Sequence, residues 1–265
     1  MTPAVTNDPI RALRPHPLQA FGGIWRLTWG RFLTGGQLML LLGTIALLSL
    51  LNLVRIRHAH LGEYIPWTVE FYLGFILPVM AFLSGAAAMR DEMKSTTTDY
   101  ILTRPIRRTH LVAFKYLSNL VCIQLFYLIV LTALLLLATI VHVPNVADAV
   151  PRLLVAQAIT LTCFSALGLL FGVISSRYLI LGILYAGTVE LALGRIPTQL
   201  NHLSMTHQLG TVLQPLNPQG SQLFSTSSSD AAVIAMLLGE AALFVILCAI
   251  IYSRREWSGM AGRAT

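Results

Sequence analysis

The chain has 265 residues, 55% of them hydrophobic and 11% charged, with a mean hydropathy of +0.71. A soluble domain carries roughly 25% charged residues, so too few charges remain here to cover a water-facing surface, which excludes a large soluble helical protein. The net charge of +7 and pI near 9.7 come without a basic patch interleaved with aromatics, and read as loop charge beside anionic lipid rather than nucleic-acid binding.

In chain order, residues 1–17 hold four prolines and no apolar core. They read as a flexible cytoplasmic tail ahead of an uncleaved first span, not as a cleavable signal. Over residues 18–34, Phe21, Ile24, Trp25, Trp29, Phe32 and Leu33 recur near helical spacing with Arg26 and Arg31 between them. That pattern predicts an amphipathic interfacial helix, and Gly35 and Gly36 supply a break after it. The apolar windows predict an all-α, polytopic membrane protein with six transmembrane helices, over residues 37–54, 68–89, 117–140, 153–174, 178–193 and 231–252. Pro78 is expected to kink the second span or open its hydrogen bonding. Residues 84–88 form a small-residue face, and Gly168 and Gly172 are spaced four apart, both signs of close helix packing. Gln157, Thr160, Thr162 and Ser165 can bond within or across helices. The fifth window has 16 residues and covers only about 24 Å of a ~30 Å core, so local irregularity is expected. Residues 194–230 read as an outer loop, with a short amphipathic helix near 196–209 lying on the outer surface.

Six crossings place both termini on one side. With that side cytoplasmic, fourteen of the eighteen Lys and Arg fall on inner segments and only Arg55, Arg57, Arg152 and Arg195 on outer ones. The positive-inside rule selects this orientation, in the cell inner (plasma) membrane.

The sequence contains no HExxH, GxSxG, paired CxxC or phosphate-binding glycine loop. No catalytic, cofactor or metal site is therefore read. His58 and His60 are ordinary loop histidines at a spacing that makes at best a weak metal site. Cys122, Cys163 and Cys248 lie within apolar runs and are expected to be buried thiols. Glu70, Glu190 and Glu240 are the acids in or near membrane windows. All three are candidates for a substrate path or subunit seam; Glu70 and Glu190 also read as interfacial, and Glu240, the deepest, as a structural hydrogen bond between helices. No basic residue interrupts the six apolar cores, which argues against a charge-lined channel or a voltage sensor.

The longest charged run is residues 90–115, RDEMKSTTTDYILTRPIRRTHLVAFK, with nine charges between two spans. It must face water. Both charge signs, together with the apolar Tyr100, Ile101 and Leu102, suit docking of a cytoplasmic protein. A turn is expected near Arg104, which precedes Pro105. Without an ATP-binding motif, uphill transport would draw its energy from another chain or from an ion gradient.

Asp91–Glu92, Thr96–Thr97, Leu102–Thr103–Arg104–Pro105–Ile106–Arg107–Arg108 and Phe114–Lys115–Tyr116 together resemble the signature of type-2 ATP-binding-cassette (ABC) exporter permeases, transmembrane subunits. About 26 residues carry the likeness, and the overall plan of the chain agrees with it. Thr96 stands where that family commonly has glycine, and Phe114 replaces the glycine that usually precedes Lys115, removing a flexible joint. The resemblance implies a cytoplasmic coupling helix resting in a cleft of an ABC ATPase, with Asp91, Glu92, Thr97, Asp99, Tyr100, Ile101, Leu102, Arg104, Pro105 and Arg108 coupling to it. It further implies a second permease subunit, the same or different, with ATP and Mg held by the partner ATPase and no cofactor in this chain. The competing readings are a membrane scaffold for enzyme or machine maturation and an ion-coupled secondary transporter.

Overall fold

The computed structural model describes residues 17–58, 62, 64–90, 93, 108–192, 204–213, 216 and 230–254. Among them every regular element is helical. The order is α1 (Pro17–Phe32), α2 (Gly35–His58), α3 (Tyr64–Arg90), α4 (Arg108–Ile140), α5 (Val146–Ile174), α6 (Tyr178–Tyr185, continuing as a π-helix over Ala186–Ala192), α7 (Met205–Leu213) and α8 (Asp230–Arg254). Four of these helices are long and apolar enough to cross a membrane: α3, α4, α5 and α8. Met39–Val54 in α2 and Tyr178–Glu190 in α6 are shorter apolar stretches.

The bundle is organised on α5, which packs against α3, α4, α6, α7 and α8. Most of its apolar window is buried, whereas α8 and α2 keep broad apolar faces uncovered, including Leu42, Leu50, Leu243 and Ile246. Apolar side chains on the outside of a bundle have their natural solvent in lipid tails. The connections either side of α5 are tight. His142 and Asn145 both take positive φ of 58° between α4 and α5, and three residues, 175–177, separate α5 from α6. Short links of this kind make each pair antiparallel neighbours.

The most intimate crossing is α3 on α5. A Cβ added to Gly85 would lie 2.1 Å from the Ser165 carbonyl oxygen, and one added to Gly168 would lie 2.1 Å from that of Phe82. Gly172 repeats the contact one turn on, 2.6 Å from Ala86 O. The glycine hydrogens in those positions point at carbonyls of the facing helix, the arrangement of Cα–H···O contacts between close helices. The spacing of four between Gly168 and Gly172 is matched by Phe82 and Ala86 on α3. The small-residue face and the glycine pair read from the sequence are thus the two sides of one crossing.

Pro78 acts on the helix ahead of it. The backbone over Thr68–Ile76 takes the wider π register, with the Leu77 amide donating to Tyr72 O, five residues back. The proline has no N–H and its ring crowds the carbonyl four residues earlier, so the ladder opens there and closes into an ordinary α-helix over Leu77–Arg90. The sixth helix, expected to be irregular, is π-helical over its last seven residues. The glycine break expected at 35–36 falls slightly earlier: residues 33 and 34 form the turn, and Gly35 already begins α2.

The first helix packs along α4 through Phe21 against Phe114, ring centroids 5.5 Å apart, and Phe32 against Phe126 at 6.1 Å. Phe114 sits inside an unbroken helix. Where a glycine would leave a joint, this chain has an aromatic anchor for α1.

The three thiols are free and buried. Two of them stitch helices: Cys163 Sγ donates to Leu237 O at 3.3 Å, and Cys248 Sγ to Leu169 O at 3.7 Å. Both bonds join α5 to α8. A water-soluble maleimide should therefore label none of the three in the folded protein and all of them after unfolding in SDS, read by mass spectrometry. Stoichiometric labelling of Cys163 or Cys248 before unfolding would contradict the α5–α8 packing.

One expectation is corrected. The helix in the long interval after α6 spans Met205–Leu213, and it is not a surface element. Met205, His207, Gln208, Leu209, Val212 and Leu213 are all buried, packed against α5 and α8. Met205, Leu209 and Val212 form an apolar stripe at helical spacing, while His207 and Gln208 are drawn inside with it. Residues 196–203 of the expected helix lie outside the described residues.

Candidate functional site

Two of the three acids singled out by the sequence meet at α7. Ser204 caps this helix, its Oγ accepting from the His207 amide at 3.1 Å. Glu190, on the π stretch of α6, completes the cap from another helix. Its carboxylate accepts from Ser204 Oγ at 2.7 Å, from Thr206 Oγ1, and from the backbone amides of Thr206 at 3.0 Å and Met205 at 3.3 Å. The amides of Met205, Thr206 and His207, which a helix N-terminus leaves without internal partners, are all satisfied. A negative group at the positive end of the helix adds favourable electrostatics. Glu190 is thus a latch that holds α7 to α6.

Glu240 lies ten residues beyond the start of α8, about 15 Å along it. Its Oε1 accepts from Gln208 Nε2 at 2.9 Å, and its Oε2 is buried without a partner among the described residues. A buried oxygen left so costs about 1–3 kcal/mol, which makes Glu240 the least satisfied acid of the cluster. Since α7 is held at its first turn by α6 and one turn further on by mid-α8, it enters the bundle rather than covering it. Glu70 belongs elsewhere: it is exposed on the π segment of α3, and none of these bonds reaches it.

A second set of polar contacts binds α4 to its neighbours. Tyr72 Oη donates to Gln157 Oε1 at 2.8 Å and lies 3.2 Å from Tyr127 O. Tyr64 Oη donates to Leu134 O at 2.8 Å, Tyr116 Oη to Thr162 O at 2.9 Å, and Gln124 Nε2 to Ala158 O at 2.9 Å. Ser84 Oγ donates to Asn119 Oδ1 at 3.0 Å, and Asn119 Nδ2 to Ser165 Oγ at 3.3 Å. Of the four polar residues noted on α5, Gln157 and Ser165 bond across helices. Thr160 and Thr162 return their hydroxyls to Ala156 O and Ala158 O of their own helix. The tyrosine partners were not legible in advance, because a tyrosine in an apolar run gives no sign of which carbonyl it will reach.

The charged segment lies almost wholly outside the described residues. Asp91, Glu92, Thr97, Asp99, Tyr100, Ile101, Leu102, Arg104 and Pro105 are among those not described, while Arg108 begins α4. What the structure does give is the pair of helices it joins: α3 ends at Arg90, Met93 makes a turn back to the Arg90 carbonyl at 3.1 Å, and α4 rises from Arg108.

Compared with known families, residues 44–257 match the ABC-2 family transporter protein. The chain belongs to the ABC-2 transporter family. It is accordingly a multi-pass membrane protein of the ABC permease type, and permeases of this family generally work with cytoplasmic ATPase subunits. Comparison with curated proteins and with solved structures gave no match.

Two of the cavities in the ABC-2 bundle share Leu83 in their walls. One, of about 290 Å³, is apolar, bounded by Pro78, Phe82, Phe164 and Ile183, and has Tyr185 and Glu190 as its polar margin. The other, of about 300 Å³, lies among α1, α2, α3, α4 and α6 and includes Ser84, Asn119 and Tyr178. Among the described residues no group of His, Cys, Asp and Glu is arranged to hold a metal. The geometry offers apolar volume, interhelical hydrogen bonds and a latched internal helix.

Proposed function

We propose that this chain is the transmembrane permease subunit of an ATP-driven exporter of a lipid, drug, glycan or natural product. It crosses the plasma (inner) membrane six times, α2 and α6 joining α3, α4, α5 and α8, with α1 in the interface and both termini in the cytoplasm. It works with a second permease subunit, identical or different. Residues 91–108 form the coupling helix, and ATP and Mg are bound and spent on a separate ATPase. This chain supplies the route and no chemistry.

The observation that carries this reading is the family match, taken with what stands at the two ends of the charged segment. It joins α3 directly to α4, and α3 is clamped backbone-to-backbone on α5. A push reaching the ends of α3 and α4 would therefore be shared by three packed helices. Packed cores transmit displacement because they are dense and have few alternative arrangements.

The tagged chain, purified alone, should show no ATPase activity, and an untagged ATPase should co-purify from its native membrane. In proteoliposomes of that complex, Glu92→Lys and Leu102→Asp should each lower transport by at least about tenfold, since like-charge or buried-charge contacts at an interface cost several kcal/mol. Two variants that assemble and transport at the parent rate would remove the coupling assignment.

A further inference from the structure

The cavity beside Asn119 has a polar lining that the transport reading does not use. Ser84 and Asn119 meet across α3 and α4, and Asn119 is held in turn by Ser165. Asn119 is 3% exposed and Ser165 fully buried, so this is a fixed polar floor and not a surface patch. The floor is not saturated by its internal bonds. An asparagine amide has two N–H donors and two carbonyl lone pairs, and one of each is engaged here. The Ser84 hydroxyl donates to Asn119 and keeps acceptor capacity. Tyr178 adds a phenol to the same cavity, while Phe32, Leu40 and Met80 supply apolar wall. Leu40 is 43% exposed, which carries that wall out to the lipid-facing surface.

Two properties decide what fits. First, the described residues that line the cavity offer hydroxyls, an amide and apolar groups, with no acid, lysine, arginine or histidine among them. A charged head moved there from water would meet no counter-charge among those residues, at a cost that the apolar contacts do not offset. A neutral head with both donors and acceptors finds partners for each. Second, the volume of about 300 Å³ is at the small end of ligand sites. It holds a compact head and the first carbons of a chain, while the remainder of a long chain stays in lipid. Ser84 is six residues from the Arg90 end of α3, so the polar floor lies about 9 Å along the helix from that end.

We infer that this cavity is a binding site for an uncharged amphiphile, a hydroxyl-, ester- or amide-bearing head on an apolar chain, and that it discriminates against charged headgroups. This assignment does not depend on any ATPase, so its failure would leave the coupling proposal standing.

The test uses the full chain in phosphatidylcholine nanodiscs with three photoactivatable probes sharing one diazirine-bearing acyl chain: a diacylglycerol, a phosphatidylglycerol, and the hydrocarbon chain with no head. Crosslinks are mapped by mass spectrometry. The diacylglycerol should label α3 and α4 around Ser84 and Asn119 at least about fivefold more than either other probe, the discrimination worth about one hydrogen bond. Ala87→Phe, which fills the cavity, should abolish the excess. Ser84→Ala, a milder change, should reduce it severalfold with the thermal midpoint unchanged. If Ala87→Phe does not fold, the Ser84→Ala result decides alone. Equal labelling by the three probes, or an excess untouched by Ser84→Ala, would mean general lipid contact and overturn the assignment. So would preference for phosphatidylglycerol.

Discussion

Gly168→Ala lowers the stability of the folded chain by about 3 kcal/mol, at the upper end for overpacked sites, and Gly168→Leu prevents α3 and α5 from docking. The reason is what the new Cβ meets. It would stand 2.1 Å from Phe82 O, 2.8 Å from Phe82 C and 2.9 Å from Phe82 Cα, all of them backbone. No rotamer change clears such a clash, so one helix must move away from the other. That displacement loosens the neighbouring contacts of Gly85 and Gly172 as well, because the three glycines belong to one crossing. The same substitution on α8 has the opposite expectation. Gly239 has nothing within 4 Å of its Cβ position, so Gly239→Ala is neutral or stabilises by up to about 1 kcal/mol through helix propensity. Gly182 falls between them, since its Cβ would meet only the ring of Phe82, at 2.6 Å, and a ring can rotate. Thermal unfolding of the three alanine variants in one detergent should rank Gly168→Ala well below Gly182→Ala, with Gly239→Ala at or above the parent. A Gly168→Ala midpoint within a degree of the parent would show that the crossing is not as close as the backbone places it.

That crossing also shows how far the sequence could be read. Hydropathy located the four helices long and apolar enough to cross a membrane, because lipid imposes length and composition together: a helix needs about 20 apolar residues whatever its neighbours are. Small residues at spacings of four announced close packing, although which carbonyl each would face is a matter of rotation about the helix axis and was not legible. Pro78 announced a disturbance. Its form, a π register over Thr68–Ile76, depends on how α3 must turn to keep Tyr72 against Gln157 and Tyr127, and those partners lie far off in the chain. The buried helix α7 was misplaced for a similar reason. Ser204 followed by Met205, Leu209 and Val212 makes a capped apolar stripe, but His207 and Gln208 look like solvent-facing residues, and only the fold shows that α8 supplies Glu240 as the partner of Gln208. The acids were picked out on the ground that an ionisable group in a membrane needs a partner. At Glu190 the structural part is a helix cap.

The structural answer for Glu190 has its own large consequence. Glu190→Ala removes the carboxylate shared by four donors, two backbone amides and the hydroxyls of Ser204 and Thr206; the two hydroxyls, 3.1 Å apart, can then bond each other, but the amides are stranded. Hydrogen bonds to a charged acceptor contribute about 1.5–3 kcal/mol each but are far from additive, so a net loss of about 3 kcal/mol in the local stability of α7 is expected. Amide hydrogen exchange over residues 205–213 should then quicken by about a hundredfold, at 1.36 kcal/mol per decade, while exchange in α5 is unchanged. Glu190→Gln keeps one oxygen to accept but turns an amide group towards the same donors, and should fall between, near tenfold. Glu240→Gln leaves the cap intact and affects only the Gln208 contact, so exchange at the first turn of α7 should stay at the parent level. If Glu190→Ala leaves the exchange of residues 205–213 unaltered, the cap does not hold α7, and its position depends on burial of Met205, Leu209 and Val212 alone. If exchange rises as expected, α7 is a separately releasable element inside the bundle.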